Sequence, residues 1–397
     1  MTHDWLIGRR RVAAAVMGTP DCVPIYAALT EHARYLFGIP PQTFYTTPEV
    51  FVEAQLLVSK YYGLDLPSVR ADVINIEAEA LGRRVLYRQR SAPLLEPGPP
   101  LYRTAEDVEA IREPDPQADG RLPFMLEVYR LVGENTGLPA ERWFTAPFSL
   151  LCAVQGYERV VRDAAHDPRF LGYLLATLRE RVLLPWIRTS LKHPLPAWAA
   201  TGDDPWASFP VITPSMYSRF VLPEVMALQD ALRSEGYRIA VMGAWGDARA
   251  DDPVTLLEER VRLQGALRGL DPDVQRLGPE LYARVAERHG VALGLGIDSR
   301  LIHDGPVEAI VTRVRDYIGR AGRNGRLTLI INNVPGDTPS EHIHAAVAAA
   351  HLYGLYPIGE RLEGTPFVMP DCEPFEDFAR REGRLALNRP GSTASHG

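Results

Sequence analysis

The sequence of 397 residues has few of the features that mark extracellular or nucleic-acid-binding proteins. It contains three cysteines, Cys22, Cys152 and Cys372, which lie far apart and form no Cys-x-x-Cys spacing. This argues against a disulfide framework and a local zinc knuckle, and it predicts a reducing compartment. The formal net charge is −7, and no block of five Lys and Arg residues occurs. The composition therefore predicts neither a nucleic-acid partner nor a membrane partner.

Long apolar segments and phosphate-binding loops are also missing. No stretch of about 18 apolar residues exists, and the apolar run in MTHDWLIGRRRVAAAVMG is too short for a signal peptide. A cytoplasmic protein is therefore expected. No Gly-x-x-x-x-Gly-Lys-Ser/Thr motif occurs, and GLGID is too short for a dinucleotide fingerprint, so no cofactor is predicted.

What the sequence does contain is an alternation of short apolar runs with longer stretches of helical period. Eight runs are predicted as strands: CVPIYAAL, RADVINI, RWFTAPFSLL, LPAWAATG, YRIAVMGAW, GALRGLD, VALGLGID and LTLIINNV. Eight strands separated by helices predict an α/β fold closed as a (β/α)8 TIM-type barrel, with an open doubly wound sheet as the alternative.

The starts of four helices are predicted at proline, because proline at the first turn loses no hydrogen bond. The residue pairs are Thr47 and Pro48, Thr213 and Pro214, Asp252 and Pro253, and Thr338 and Pro339, with Glu341 completing a capping box in the last. After Gly305 an apolar stripe at steps of three and four predicts a helix that ends near Gly319 and Gly322. We expect one domain over 1–383, with a proline-rich insertion around 90–122, and a flexible tail over 384–397.

Polar and aromatic side chains follow most of the predicted strands. In a barrel the residues just past each strand converge on one mouth, where active sites lie. The alternative is that strand ends are polar because they meet water. The residues, in strand order, are Glu31, His32 and Arg34; Asp72, Asn75 and Glu77; Asp203, Asp204 and Trp206; Trp245, Asp247 and Arg249; Asp298, Arg300 and His303; and Asn332, Asn333 and Asp337.

Seven motifs resemble, in order and spacing, the uroporphyrinogen decarboxylase superfamily over about residues 8–356. They are GTPDCVPI followed by HARYL, AEALG, TAPFSLLCAVQGYERVVRDAAHDPRFLGYLL, TGDDPWASFPVITPSMYSRFVLPEVMALQDALRSEGYRIAV, GIDSRLIHDGPVEAIVTRVRDYI and DTPSEHIHAAVAAAHLYG. The resemblance implies a β/α barrel, often a homodimer. It also implies one of two activities, either cofactor-free decarboxylation or zinc-dependent methyl transfer between corrinoids and thiols or related acceptors.

The zinc ligands of the methyltransferase branch are replaced in this chain. That branch ends its fifth strand in His-x-Cys-Gly, where a histidine and a cysteine hold zinc that activates a thiol. The matching residues here are Gly243, Ala244, Trp245 and Gly246. We therefore expect no metal. Because the branched residues of YRIAVMGA fill the barrel layers and small residues flank Trp245, we expect its indole to form an apolar wall for a flat ligand, with packing under the next loop as the alternative.

In the decarboxylase branch the first strand ends with two arginines that bind substrate carboxylates, and TEHARYL matches them with Thr30 and Arg34. The catalytic aspartate of that branch matches Asp72 with one residue of offset, which leaves Asn75 or Glu77 open. For Arg34 the alternative is a structural ion pair.

Taken together, the expected catalytic residues are Asp72, Arg34, His32 and His303. The expected substrate-binding residues are Asp203, Asp204, Trp206, Trp245, Asp247, Arg249, Asp298 and Asn332. The first functional hypothesis is metal-independent decarboxylation of a small organic or heteroaromatic carboxylate, in which an Asp or a His of suitable pKa neutralises or protonates the developing carbanion. The others are corrinoid-linked methyl transfer without zinc, which alone requires a corrinoid protein as partner, and a non-catalytic binding barrel.

We predict that the purified protein holds no stoichiometric zinc or iron, because Gly243 and Trp245 offer no ligand atoms where related methyltransferases bind zinc. Elemental analysis by mass spectrometry measures this directly. One tightly held metal per chain, lost on substitution of Asp203, Asp204, Asp298 or His303, would contradict the prediction.

Overall fold

The strands in the described part of the chain are short and lie in three sheets, two with parallel pairs and one a two-stranded antiparallel hairpin. The structure, a computed structural model, describes residues 5–89, 91–359, 362 and 364–382, so the tail predicted over 384–397 lies outside the described residues. Within them the strands are β1 (Ile25–Ala27), β2 (Val85–Leu86), β3 (Leu94–Leu95), β4 (Trp143–Thr145), β5 (Ala199–Asp203), β6 (Arg238–Met242), β7 (Leu267–Leu270), β8 (Leu293–Ile297) and β9 (Leu327–Ile331).

The strands are joined by helices that follow them in the chain. The first ten α-helices are α1 (Trp5–Met17), α2 (Thr30–Leu36), α3 (Pro41–Thr46), α4 (Pro48–Tyr61), α5 (Val73–Ala80), α6 (Ala105–Glu109), α7 (Leu122–Thr136), α8 (Pro147–Gln155), α9 (Tyr157–His166) and α10 (Pro168–Leu178). The later ones are α11 (Leu184–Lys192), α12 (Pro214–Met216), α13 (Leu222–Ser234), α14 (Pro253–Gln264), α15 (Asp271–Leu277), α16 (Pro279–His289), α17 (Ser299–Asp304), α18 (Val307–Ala321), α19 (Ser340–Tyr353) and α20 (Phe375–Glu382). None of the described helices is long and apolar enough to cross a membrane.

The chain divides into two compact units. The first contains residues 1–71, 88–91 and 268–397, and the second contains 72–87 and 92–267. The predicted domain boundaries and the insertion around 90–122 stay predictions.

The first unit is built on a four-stranded sheet in the order β1, β9, β8, β7. In the parallel pair of β8 with β9, Leu295 lies opposite Leu329, and both are fully buried. A Cβ on Gly269 would meet Val274 and Tyr282, so this face of β7 is the one that packs against helices. Side chains alternate across a strand, so Arg268 and Asn332 lie on the other face.

The helix α18 of the first unit has the apolar stripe that the sequence predicts. Ile310, Val311, Val314 and Ile318 are all buried, and the helix ends before Gly322. Spacing of three and four residues therefore identified both the helix and its buried face.

The second unit is built on the parallel sheet of β4, β5 and β6. The hairpin of β2 and β3 precedes this sheet in the chain. Gly202 of β5 is required by close packing, because a Cβ there would lie 2.6 Å from the Phe144 ring. The predicted helix starts at Pro214 and Pro253 are confirmed.

One predicted strand, RADVINI, is wrong: this segment enters helix α5, which begins at Val73. The run is short and apolar, a pattern that a strand shares with a buried helix. The following Glu-Ala-Glu-Ala residues favour a helix. The structure also corrects the predicted capping box at Thr338: α19 begins at Ser340, and the Thr338 hydroxyl donates to the Pro335 carbonyl.

Candidate active site

Ligand sites in α/β proteins lie at the carboxyl ends of parallel strands. Residues after β4, β5 and β6 belong to the second unit, and residues after β1, β8 and β9 belong to the first. Each set is described in turn.

Asp72, in the second unit, is held by an arginine that sequence reasoning missed. Arg121 donates to both carboxylate oxygens of Asp72 at 2.8 and 2.7 Å, and its Nε donates to Glu79 at 2.5 Å. The side chains of Asp72 and Arg121 are only 5% and 7% exposed. Asn75 donates a further bond to Asp72. Nothing in the local sequence marks Arg121, which lies within the stretch predicted as an insertion.

Glu77 of α5 reaches the end of β4 and is fully buried. It accepts hydrogen bonds from the Thr145 backbone N–H at 3.0 Å and from the Thr145 hydroxyl at 2.5 Å. Burial raises the pKa of Glu77 to about 7, and the bonds from Thr145 only partly oppose this shift. Glu77 can therefore hold a proton near neutral pH.

Asp204 follows β5 and is also completely buried. Its Oδ1 accepts from the Ser149 backbone N–H at 2.9 Å and from the Ser149 hydroxyl at 2.6 Å. The Ser149 hydroxyl in turn accepts from the Trp206 backbone N–H at 3.2 Å. Burial raises the pKa of Asp204 to about 7. In this arrangement Asp204 positions the turn that carries Trp206.

Asp203 and Gly243 lie side by side on neighbouring strand ends. Gly243 has φ +87°, and a Cβ built on it would lie 1.6 Å from Oδ1 of Asp203. Both the backbone conformation and the carboxylate therefore require glycine at this position.

Two tryptophans after β5 and β6 present their rings to solvent. Trp206 is 36% exposed and stacks on Tyr157 with ring centroids 5.1 Å apart, and Trp245 is 43% exposed. The backbone of Trp245 is fixed by the Ser208 hydroxyl at 3.0 Å and by the Phe209 N–H at 2.9 Å. The backbone is thus anchored while the indole stays accessible, as a ligand wall requires.

Asp247 and Arg249, which follow Trp245, do not pair with each other. Asp247 is 1% exposed and pairs with Arg260 of α14 at 2.8 Å, whereas the side chain of Arg249 is exposed. Arg260 also donates to the Ala244 carbonyl at 2.9 Å. The loop after β6 is therefore attached to α14 through Arg260.

In the first unit His32 is fully buried, and both ring nitrogens have partners. Nδ1 lies 2.9 Å from the Gly336 carbonyl, which can only accept, so Nδ1 carries the proton. Nε2 then accepts from the Tyr62 hydroxyl at 2.6 Å. Burial lowers the pKa of His32 to about 4, so the ring is neutral at pH 7.

Arg34 is 6% exposed and is engaged with its own unit. It donates to Glu31 at 2.9 and 3.2 Å and to the carbonyls of Ile39 and Gln89. The structure thus gives Arg34 an ion pair with Glu31, and its role as a carboxylate clamp stays a prediction.

His303 of α17, by contrast, is partly accessible and lies between two carboxylates. Its Nδ1 is 2.6 Å from Asp304, and its Nε2 is 3.3 Å from Asp337 in the loop after β9. The side chain is 32% exposed. The hydrogen bond to Asp304, with a second to Asp337, raises the pKa of His303.

Asp298 follows β8 and acts as a helix cap. Its carboxylate accepts from the Arg300 backbone N–H at 2.9 Å, at the start of α17. The backbone N–H of Asp298 donates to the buried carboxylate of Asp271 at 2.8 Å. Arg313 and Tyr317 also donate to the Asp271 carboxylate.

Asn332 follows β9 and accepts a hydrogen bond from Arg268 of β7 at 3.2 Å. A Cβ on Gly296 would lie 2.4 Å from the Asn332 amide. Glycine at this position therefore leaves space for the Asn332 side chain on this face of the sheet. Sequence reasoning missed Arg268, although a charged residue within the apolar run GALRGLD was a usable signal.

Comparison with known proteins then identifies the family. The family model for uroporphyrinogen decarboxylase (URO-D) matches residues 9–353. The chain belongs to this family. It is a family of enzymes with the TIM-barrel fold, so the predicted fold class and the predicted resemblance are both confirmed.

Two curated relatives carry the name uroporphyrinogen decarboxylase. The protein from Syntrophotalea carbinolica is 30% identical over 227 residues, covering 54% of this chain and 59% of the relative. The protein from Trichlorobacter lovleyi is 27% identical over 198 residues, covering 47% of this chain and 53% of the relative. The matches thus span less than two thirds of either relative.

A solved methyltransferase from Methanosarcina mazei has a similar fold, with a TM-score of 0.69 and 18% sequence identity. The similarity covers 86% of this chain and 98% of that chain. Among the residues that the structure describes, no group of three or more His, Cys, Asp or Glu side chains is arranged to hold a metal ion.

We predict that Arg121→Met lowers the free energy of unfolding by about 3–5 kcal/mol, because it leaves the buried Asp72 carboxylate without its cation. Urea denaturation followed by circular dichroism measures the change. The control is Arg130→Met on α7, which removes an exposed arginine paired with Glu127 and Glu134 and should cost less than about 1 kcal/mol. Equal losses in the two variants would show that the Asp72 pair is not a buried one.

We also predict that Trp245→Phe removes more of the acrylamide-quenchable fluorescence than Trp186→Phe, because Trp186 is only 2% exposed. Stern–Volmer titration of the two variants and the parent gives the comparison. If both variants lose the same quenchable share, Trp245 is packed in the interior and cannot serve as a ligand wall.

Proposed function

We propose that this protein is a decarboxylase-like lyase that releases CO2 from a small organic or heteroaromatic carboxylate without a metal. The names of the relatives and the resemblance at the end of β6 support this. Both curated relatives named above are decarboxylases by name. At the end of β6, Gly243 and Trp245 stand where the zinc-dependent branch has histidine and cysteine.

The observation that carries the proposal is the environment of His303. Loss of CO2 leaves the bonding electron pair on the substrate carbon, and that carbon must take up a proton. An imidazolium with hydrogen bonds to Asp304 and Asp337 stays protonated to higher pH than a free histidine. Its side chain is one-third exposed, so a substrate that displaces the 3.3 Å contact of Nε2 with Asp337 can take the Nε2 proton, and the ring then regains a proton from water.

Arg268 and Asn332 supply a place for the carboxyl group of the substrate. They lie on the face of the first unit's sheet that points away from the helices, which in a (β/α)8 barrel is the interior. A guanidinium binds a carboxylate with two parallel hydrogen bonds, and the amide adds a neutral donor. Considered by itself, the second unit presents the accessible rings of Trp206 and Trp245, and their role as apolar ligand contacts stays a proposal.

A second candidate function is methyl transfer without the thiol-activating zinc, the other branch of the superfamily. The solved neighbour from Methanosarcina mazei is named a methyltransferase, and its similarity supports the common fold. Under this candidate a corrinoid protein would be the partner. Labelled-methyl transfer from methylcobalamin, measured beside CO2 release, distinguishes the two.

We predict that His303→Gln lowers kcat/KM about 10²–10⁴-fold, because the proton donor is lost. The assay is release of labelled CO2 from a panel of aromatic and heteroaromatic acids such as pyrrole-2-carboxylate and indole-3-carboxylate. The control is His166→Gln, an exposed histidine on α9, which should leave turnover unchanged.

The pH profile gives an independent test of the same residue. The active form is protonated and the pKa is raised, so activity should fall as pH rises through that pKa. Asp337→Asn removes the negative charge of one of the two carboxylates that raise the pKa of His303 and should move this alkaline limb to lower pH. A limb that does not move, or full activity in His303→Gln, would rule out His303 as the proton donor.

A further inference from the structure

A small polar cavity lies in the second unit, at the end of β6. Its volume is about 20 Å³, and its walls come from β6, the turn over 217–221, α13 and α14. Apolar side chains such as Val221 and Val225 form most of the wall. Tyr217 also lines the cavity, and three further polar residues, Asp204, Arg260 and Gln264, complete it.

Each of these three residues has a buried polar atom that bonds to no other protein group. The atoms are Oδ2 of Asp204, Nη2 of Arg260 and Oε1 of Gln264. The three residues are 1%, 5% and 9% exposed. Buried polar atoms almost always have a partner, so three around one cavity point to a common occupant.

The chemistry of the three atoms restricts what that occupant can be. A cation would be opposed by Arg260, and an anion by the oxygens of Asp204 and Gln264. Water both donates and accepts, so one molecule can donate to the two oxygens and accept from the guanidinium. A volume of about 20 Å³ admits a water molecule, for which about 10–15 Å³ is needed, and excludes an organic ligand.

The same three residues are connected to the two exposed tryptophans. Asp204 holds the Ser149 hydroxyl, which accepts from the Trp206 N–H. Arg260 holds the carbonyl of Ala244 and the carboxylate of Asp247, on either side of Trp245. A molecule that bridges Asp204 to Arg260 therefore connects the loop of Trp206 to the loop of Trp245.

We propose that this cavity binds one internal water, held jointly by Asp204, Arg260 and Gln264, and that through this water Gln264 acts as a positioning residue for the Trp206 and Trp245 loops. The role of these loops in binding substrate rests on the proposed function, but the water site does not. Gln264 contributes its carbonyl oxygen, so only its hydrogen-bonding capacity is required.

The first test is a crystal structure of the full chain at high resolution. We expect one water at hydrogen-bonding distance, about 2.7–3.2 Å, from all three atoms. A direct bond between Asp204 and Arg260, with no water between them, would overturn the proposal.

The second test measures the positioning role. Gln264→Met keeps the length of the side chain and removes its oxygen, so we expect a red shift of Trp245 emission and stronger quenching by acrylamide. Gln264→Glu keeps an acceptor oxygen and should restore the parent signal. The Trp245 contribution is obtained by difference, from each variant made with and without Trp245→Phe.

The matched control is Gln229→Met on α13, another buried glutamine, which donates to the carbonyls of Ile239 and Leu263. It should lower stability without changing Trp245. An equal change in both variants, or no rescue by Gln264→Glu, would show that Gln264 is merely structural. Neither test uses a substrate, so a failure here is distinct from a failure of the decarboxylation proposal.

Discussion

Burial of charged side chains is the constraint that organises the strand ends in both units. An unpaired buried charge is costly, and breaking a buried pair typically costs several kcal/mol. The structure meets this constraint for three of the candidates by pairing each with a residue of its own unit. Asp72 pairs with Arg121, Asp247 with Arg260, and Arg34 with Glu31. These pairs fix the positions of the loops and helices around the strand ends.

The same constraint separates two kinds of residue among those expected to form the site. Buried residues such as Asp204 and His32 form hydrogen bonds to neighbouring protein groups, although Oδ2 of Asp204 has no protein partner. Burial outweighs these bonds, so it raises the pKa of Asp204 to about 7 and lowers that of His32 to about 4. Exposed residues such as Trp206, Trp245 and His303 have fixed backbones or partners but accessible side chains. The exposed residues can contact a ligand, and the buried residues fix the positions of the exposed ones.

Local pattern was enough to predict much of the fold. The apolar stripe of α18 and the prolines at the starts of α4 and α14 predicted helices correctly, because each signal is complete within a few residues. The strand predicted at RADVINI was wrong because a short apolar run does not distinguish a strand from a buried helix.

The ion pairs of the candidate site could not be predicted in the same way. Asp72 and Arg121 lie 49 residues apart, and only the folded chain brings them together. The neighbouring charges of Asp247 and Arg249 do not pair, because Asp247 is buried and takes its partner from α14. Arg268 could have been predicted from the sequence, because a charged residue inside an apolar strand requires a polar partner. Its hydrogen bond to Asn332 is such a partner.

The end of β6 shows how a change in chemistry is built into the backbone. The resemblance implies that the methyltransferase motif has its histidine at the position of Gly243. Here that residue has φ +87°, a conformation that residues with a side chain rarely adopt, and Asp203 occupies the space in which a Cβ would lie. A histidine at position 243 would therefore have to move both its own backbone and a neighbouring carboxylate. The difference from the zinc-binding motif is thus supported by Asp203 on the adjacent strand as well as by residue 243 itself.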